Sequence, residues 1–179
     1  RDILAAATLN GTTVLALGGL NDNHRNGMAS VEALDLAAAA AGALRWTPYP
    51  SMTTPRSAHA AAVLLGRVYV AGGLDNSGNF LASVEAFDGG AHGAWETVAN
   101  MTTGRAGFAL VALEEGGPSH HGGMLVAAGG GDNSMASAEA YDPVADQWAA
   151  IADMATARAG CAGAAMHGKV YVSGGTPDY

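Results

Sequence analysis

The stretch LEEGGPSHHGG at 113–123 holds Glu114, Glu115, His120 and His121, the residue types that ligate zinc and related ions. Adjacent histidines on an extended chain point to opposite sides, and this loop is rich in glycine. It reads as a solvated loop, and neither a resident metal nor another cofactor is expected. Nucleophilic catalysis needs a base held beside its nucleophile, and no such pair recurs at a useful spacing. His59, in RSAHAAAVLL, reads as a buried structural residue, and Cys161, in RAGCAGAAM, as a small core residue. The glycine-rich AAGGGDNS at 127–134 lacks the lysine and the following helix that a phosphate loop requires.

A different set of polar residues recurs. LNDNHRNGMAS (20–30), LDNSGNFLAS (74–83) and GDNSMAS (131–137) each carry Asp-Asn. The candidates for partner contact are therefore Asp22, Asn23, His24, Arg25, Asp75, Asn76, Asp132 and Asn133. Asp and Asn also bond their own backbone in turns and tolerate left-handed geometry, so turn chemistry stands beside ligand contact as a reading of these loops.

The totals exclude several classes. The chain has 179 residues, eight Lys and Arg, and a formal charge of −8. Nucleic-acid binding relies on cations against phosphate, and no basic stripe exists. Neither nucleic acid nor an anionic membrane is an expected partner, and no apolar run approaches the roughly 20 residues that span a bilayer. The one cysteine allows no intramolecular disulfide, which fits a reducing, cytoplasmic compartment. The opening RDILAAATLNG has neither an initiator Met nor a signal pattern, and we read the chain as part of a longer one.

The positioning elements emerge from self-similarity. Double glycines fall at Gly18-Gly19, Gly72-Gly73, Gly129-Gly130 and Gly174-Gly175. Each ends a short apolar run: TTVLALGG, RVYVAGG, GMLVAAGG, KVYVSGG. A turn glycine precedes each run (Gly11, Gly66, Gly123, Gly168). After the first three doublets come VEALD, VEAFD and AEAYD, carrying Glu32, Glu85 and Glu139. Trp46, Trp95 and Trp148 follow, each six residues before Met52, Met101 and Met154, which open MTTPR, MTTGR and MATAR. Arg1 takes the place of Arg56, Arg105 and Arg158, with steps of 55, 49 and 53 residues. Four short runs per unit, separated by turn chemistry and rich in β-branched and aromatic residues, read as four antiparallel strands.

Doublet, Glu strand, spaced Trp and Met-x-x-x-Arg turn together resemble kelch repeats, whose period is about 50 residues. The resemblance covers nearly the whole chain and implies an all-β, kelch-type β-propeller of four-stranded antiparallel blades, incomplete in this chain. The repeats run 1–55, 56–104, 105–157 and, cut short after its doublet, 158–179. Recurring positions are assigned structural jobs: glycines for close backbone approach, tryptophans for apolar surface, and Glu with Arg for a partly buried pair or for capping backbone amides.

The resemblance also implies a non-catalytic protein–protein interaction module: a scaffold, a subunit of a larger assembly, or a substrate-recognition adaptor of a ubiquitin ligase, which would need a BTB or similar domain. Partners are expected at the loops that follow each second strand. Many kelch adaptors grip acidic peptides with basic side chains near the first strand. Here Ala58, Gly107 and Gly160 stand two residues after each Arg, which weakens that analogy. The alternative is part of a galactose-oxidase-like propeller enzyme with its catalytic residues elsewhere. Repeat architecture accounts for Tyr69, Tyr141 and Tyr171.

Overall fold

The computed structural model describes residues 2–23, 26–42, 44–89, 93–114 and 122–177. His24, Arg25, His120, His121, Glu115 and Arg1 lie outside them, as do the partner and metal readings placed on those residues.

The first sheet runs in sequence order through β1 (Ala5–Leu9), β2 (Thr13–Leu17), β3 (Val31–Asp35) and β4 (Trp46–Tyr49). A short 3-10 helix, Leu36–Ala41, sits between its last two strands, with the Asp35 carboxylate accepting from the Ala37 N–H and Gly42 closing it. The second sheet repeats the meander with β5 (Ala60–Leu64), β6 (Arg67–Ala71), β7 (Val84–Phe87) and β8 (Glu96–Val98). The third comprises β9 (Ala109–Leu113), β10 (Met124–Ala128), β11 (Ala138–Asp142) and β12 (Gln147–Ile151). A hairpin of β13 (Ala159–Met166) and β14 (Lys169–Thr176) follows. All pairings are antiparallel, and the first strands β1, β5, β9 and β13 pack against one another in succession. This is a partial β-propeller of four-stranded blades, with those first strands at its hub.

Register fixes what faces what. The residue two before each doublet pairs with the recurrent glutamate: Ala16 with Glu32, Val70 with Glu85, Ala127 with Glu139. The core lies between sheets. Leu9, Leu15, Phe87 and Trp95 fill the space between the first and second; Leu64, Tyr69, Tyr141 and Trp148 fill that between the second and third. Burial of these side chains, about 1.5–3 kcal/mol each, drives the stacking.

The tryptophans lock each sheet to the one before. Trp95 stacks on Phe87 with ring centroids 5.2 Å apart, and its indole N–H donates to the Pro50 carbonyl at 2.8 Å. Trp148 lies on Tyr141 and donates to the Ala99 carbonyl at 3.0 Å. Trp46 differs from the shared role expected of it: its side chain is 46% exposed, and no sheet precedes its own among the described residues.

The doublets are seams between neighbouring sheets. The Gly73 N–H donates to the Arg105 carbonyl at 2.7 Å, and the Gly130 N–H to the Arg158 carbonyl at 2.7 Å. A Cβ on Gly129 would sit 2.6 Å from that Arg158 oxygen, closer than a carbon can approach.

Candidate functional site

The recurring order of each unit begins with arginine, and the structure shows what that arginine does. Arg56 is fully buried; its Nη1 donates to the carbonyls of Gly72 and Ser83, and its Nη2 to Ser83 Oγ and, at 2.8 Å, to Glu85 Oε1. Arg105 repeats the set with Gly129, Ser137 and Glu139, the last at 3.0 Å. Each glutamate also accepts from the preceding sheet's exit turn: Glu85 from the N–H groups of Thr53 and Thr54 and the Thr53 hydroxyl, Glu139 from the N–H and hydroxyl of Thr102. Burial works to raise both carboxyl pKa values, but the threonine donors and the guanidinium outweigh it and hold them below the ordinary range. The two sequence readings of this glutamate, ion pair and amide cap, are thus one arrangement. Arg158, half-buried, donates to the Gly174 carbonyl at 2.6 Å.

These clamps fix the backbone where it turns into each first strand. The residue two after each arginine is left-handed in all four units: Ile3 at φ 52°, Ala58 at 50°, Gly107 at 62°, Gly160 at 67°. Their peptides form a hydrogen-bonded chain around the hub. The Ala58 N–H donates to the Ile3 carbonyl at 3.1 Å, Gly107 to Ala58 at 2.9 Å, and Gly160 to Gly107 at 2.7 Å.

Three of these positions, Ala58, Gly107 and Gly160, carry small side chains, and the hub mouth is hollow beside them. A cavity of about 430 Å³ opens there, lined by Ile3, Leu4, Phe80, Phe108, Asp132 and Cys161 among others. It lies on the face carrying the loops between second and third strands. Ile3, Leu4 and Phe80 are 51%, 39% and 37% exposed. Three large apolar side chains thus stand partly exposed beside one cavity.

The residue three after each arginine wedges between glycine doublets. His59 packs on Gly18 and Gly73, Phe108 on Gly72 and Gly130, Cys161 on Gly129 and Gly175. His59 is the polar member. Neither ring nitrogen makes a hydrogen bond, although the carbonyls of Leu17 and Arg56 lie beside it. Burial, reinforced by the Arg56 charge, pushes its pKa down to about 3 and keeps the imidazole neutral.

The Asp-Asn loops divide. Asp75 is spent on its own turn: Oδ1 accepts from the N–H groups of Ser77 and Asn79, and Oδ2 from Asn79 Nδ2. Asn76 bonds across to the Gly27 N–H at 2.7 Å. Asp22, Asn23, Asp132 and Asn133 are exposed, with no side-chain hydrogen bond among the described residues. Of the six candidates among the described residues, Asp132 alone lines the cavity. Residue-by-residue reading missed Ile3, Leu4, Phe80 and Phe108. The available signal was the third position after each arginine, where Leu4, His59, Phe108 and Cys161 align. Among the described residues no three His, Cys, Asp or Glu side chains gather in a metal-binding group, and no helix is long and apolar enough to cross a membrane.

Comparison with known proteins places this architecture. The chain matches the Kelch motif over residues 55–102 and 117–155. It is 33% identical to Kelch-like protein 36 of Rattus norvegicus over 134 residues, covering 73% of this chain and 21% of that protein. It is 31% identical to Beta-scruin of Limulus polyphemus over 141 residues, covering 73% of this chain and 14% of the relative. The chain therefore spans about a fifth or less of these relatives' length. The solved structure of YjhT superposes with a TM-score of 0.74 at 16% identity, over 98% of this chain and 59% of that one. Meander sheets, seam glycines and buried Arg–Glu clamps agree with these likenesses, and the chain belongs to the kelch-repeat family.

Proposed function

We propose that this chain is a non-catalytic protein-interaction module that engages its partner through the hub mouth. One observation carries the reading: the cavity of about 430 Å³ with Ile3, Leu4 and Phe80 exposed at its lip. Partner interfaces centre on desolvated pockets that receive a few anchoring side chains, ringed by polar groups that exclude water. Here Asp22, Asn23, Asp132 and Asn133 supply exposed polar groups on the same face. The buried acids and bases are committed to the fold: Glu85 and Glu139 to their arginines, His59 to a seam. Such a module suits a scaffold, an assembly subunit or a substrate-recognition adaptor. The likeness to Kelch-like proteins and Beta-scruin supports that general role, and the single cysteine supports a cytoplasmic setting.

The test is selection from a displayed random peptide library against the wild-type chain and against Phe80→Asp. Phe80 is over one-third exposed, and an unchanged circular dichroism melt of the variant serves as the folding control. Peptides enriched on wild type and lost on Phe80→Asp are the expected outcome. Peptides indifferent to Phe80→Asp, or no enrichment at all, refute the hub mouth as the binding surface.

A further inference from the structure

We infer that the hub cavity receives a cationic side chain, an arginine or lysine of the partner, with its aliphatic stem against Phe80 and Phe108 and its charge on Asp132. The inference rests on the hub reading above and names its ligand chemistry. Two phenyl rings and one carboxylate line a single cavity. The Asp132 carboxylate is exposed and makes no hydrogen bond or ion pair among the described residues. The other polar side chain on the wall, His59, has its nitrogens sealed behind the seam and offers nothing to a ligand.

The alternatives fit less well. An acidic ligand would meet Asp132 with no opposing cation in the described lining. The guanidinium groups of Arg56 and Arg105 are fully buried against Glu85 and Glu139, out of reach of the cavity. A wholly apolar anchor would fill the hollow but desolvate Asp132 without a partner, which is costly. A long side chain with an apolar stem and a charged head satisfies both features: stem against rings, cation over aromatic faces, and head on the carboxylate through a charge-assisted hydrogen bond. Ala58, Gly107 and Gly160 leave the space that the stem would occupy.

Capped tripeptides Ac-Ala-X-Ala-NH2, with X as arginine, lysine, citrulline, norleucine or glutamate, titrated into the 179-residue chain test this. Backbone amide shifts at Gly107 and Gly131 report occupancy. Arginine and lysine peptides are expected to bind about tenfold more tightly than citrulline or norleucine, from one charge-assisted bond, with glutamate weakest. Asp132→Asn is expected to erase the cationic advantage while leaving the spectrum otherwise intact. Phe80→Ala should weaken all cationic peptides. Equal affinity for arginine and citrulline, an unchanged preference in Asp132→Asn, or absence of any shift at millimolar peptide overturns the inference. If library peptides depend on Phe80 while citrulline matches arginine, the cation assignment falls alone. If the library selection also fails, the hub reading falls with it.

Discussion

The guanidinium of Arg56 and the carboxylate of Glu85 meet at 2.8 Å, one fully buried and the other 1% exposed, across the second sheet of the propeller. The glutamate simultaneously holds the exit turn of the sheet before, through Thr53 and Thr54. One carboxylate thus fixes a sheet internally and fastens it to its neighbour, and Arg105 with Glu139 repeats the device.

Removing the charge from one side of this clamp should be severe. Glu85→Gln leaves Arg56 buried without its counterion, a loss of about 3–5 kcal/mol for a broken buried pair. Arg158, half-buried and held by the Gly174 carbonyl, gives the control. Arg158→Ala should cost under about 1 kcal/mol. Urea denaturation followed by tryptophan fluorescence checks both. A Glu85→Gln variant as stable as wild type contradicts the clamp.

His59 predicts an acid-sensitive seam. Its folded pKa is depressed from 6.5 to about 3 by burial first and the Arg56 charge second. A histidine held neutral by the fold contributes stability that is fully present above pH 6.5 and is lost as pH falls from there towards about 3. Glu85 and Glu139, with lowered pKa values, add losses as pH falls through the ordinary carboxylate range and below it. His59→Phe, copying Phe108 at the same position, should therefore flatten the stability profile between pH 6.5 and 5. It should also raise stability at pH 7, by up to about 1–3 kcal/mol, because the poorly satisfied buried imidazole nitrogens vanish. Parallel slopes for variant and wild type in that window would place His59 elsewhere.

Much of this fold was legible because the repeat is written in residues whose physics is local. Asn10-Gly11, Leu65-Gly66 and His167-Gly168 all turn left-handed between first and second strands. The doublets mark seams because a side chain there strikes the neighbouring sheet. The hub mouth was less legible. Ile3, Leu4, Phe80 and Phe108 come from three units and meet only when the first strands converge, so no local spacing announces them. Spacing alone makes Trp46 equivalent to Trp95, but its burial depends on a preceding sheet, a tertiary fact. The Asp-Asn pairs look alike in sequence; whether the carboxylate folds back, as at Asp75, or stays free, as at Asp132, depends on loop length and on residues such as Asn79.

The tryptophans provide a graded test of sheet-to-sheet locking. Trp95→Ala removes a buried indole, its stacking on Phe87 and its bond to Pro50, a loss of about 3–5 kcal/mol. Trp46→Ala, at a site 46% exposed and without a hydrogen bond among the described residues, should cost less than half of that. Comparable losses in thermal melts of the two variants would show that position within the unit, not burial, sets the energy.

The left-handed ring at the hub makes opposite demands on two equivalent residues. Ala58 holds φ 50° and Gly107 φ 62°, and each peptide bonds the next through Ala58 N–H to Ile3 and Gly107 N–H to Ala58. An L side chain in this region costs about 1–2 kcal/mol, against which glycine's extra unfolded-state freedom returns about 0.4–1 kcal/mol. Ala58→Gly should therefore raise stability modestly, by up to about 1 kcal/mol. Gly107→Ala should lower it by more, since a Cβ there would also press the Gly160 N at 3.2 Å, inside the bond that continues the ring. Amide hydrogen exchange at Gly107 and Gly160, measured beside urea midpoints, separates local from global effects. Faster exchange of both amides in Gly107→Ala, with slower exchange in Ala58→Gly, is the result the ring requires. Stability changes of the same sign in the two variants would mean that the hub backbone is not held by this chain of bonds.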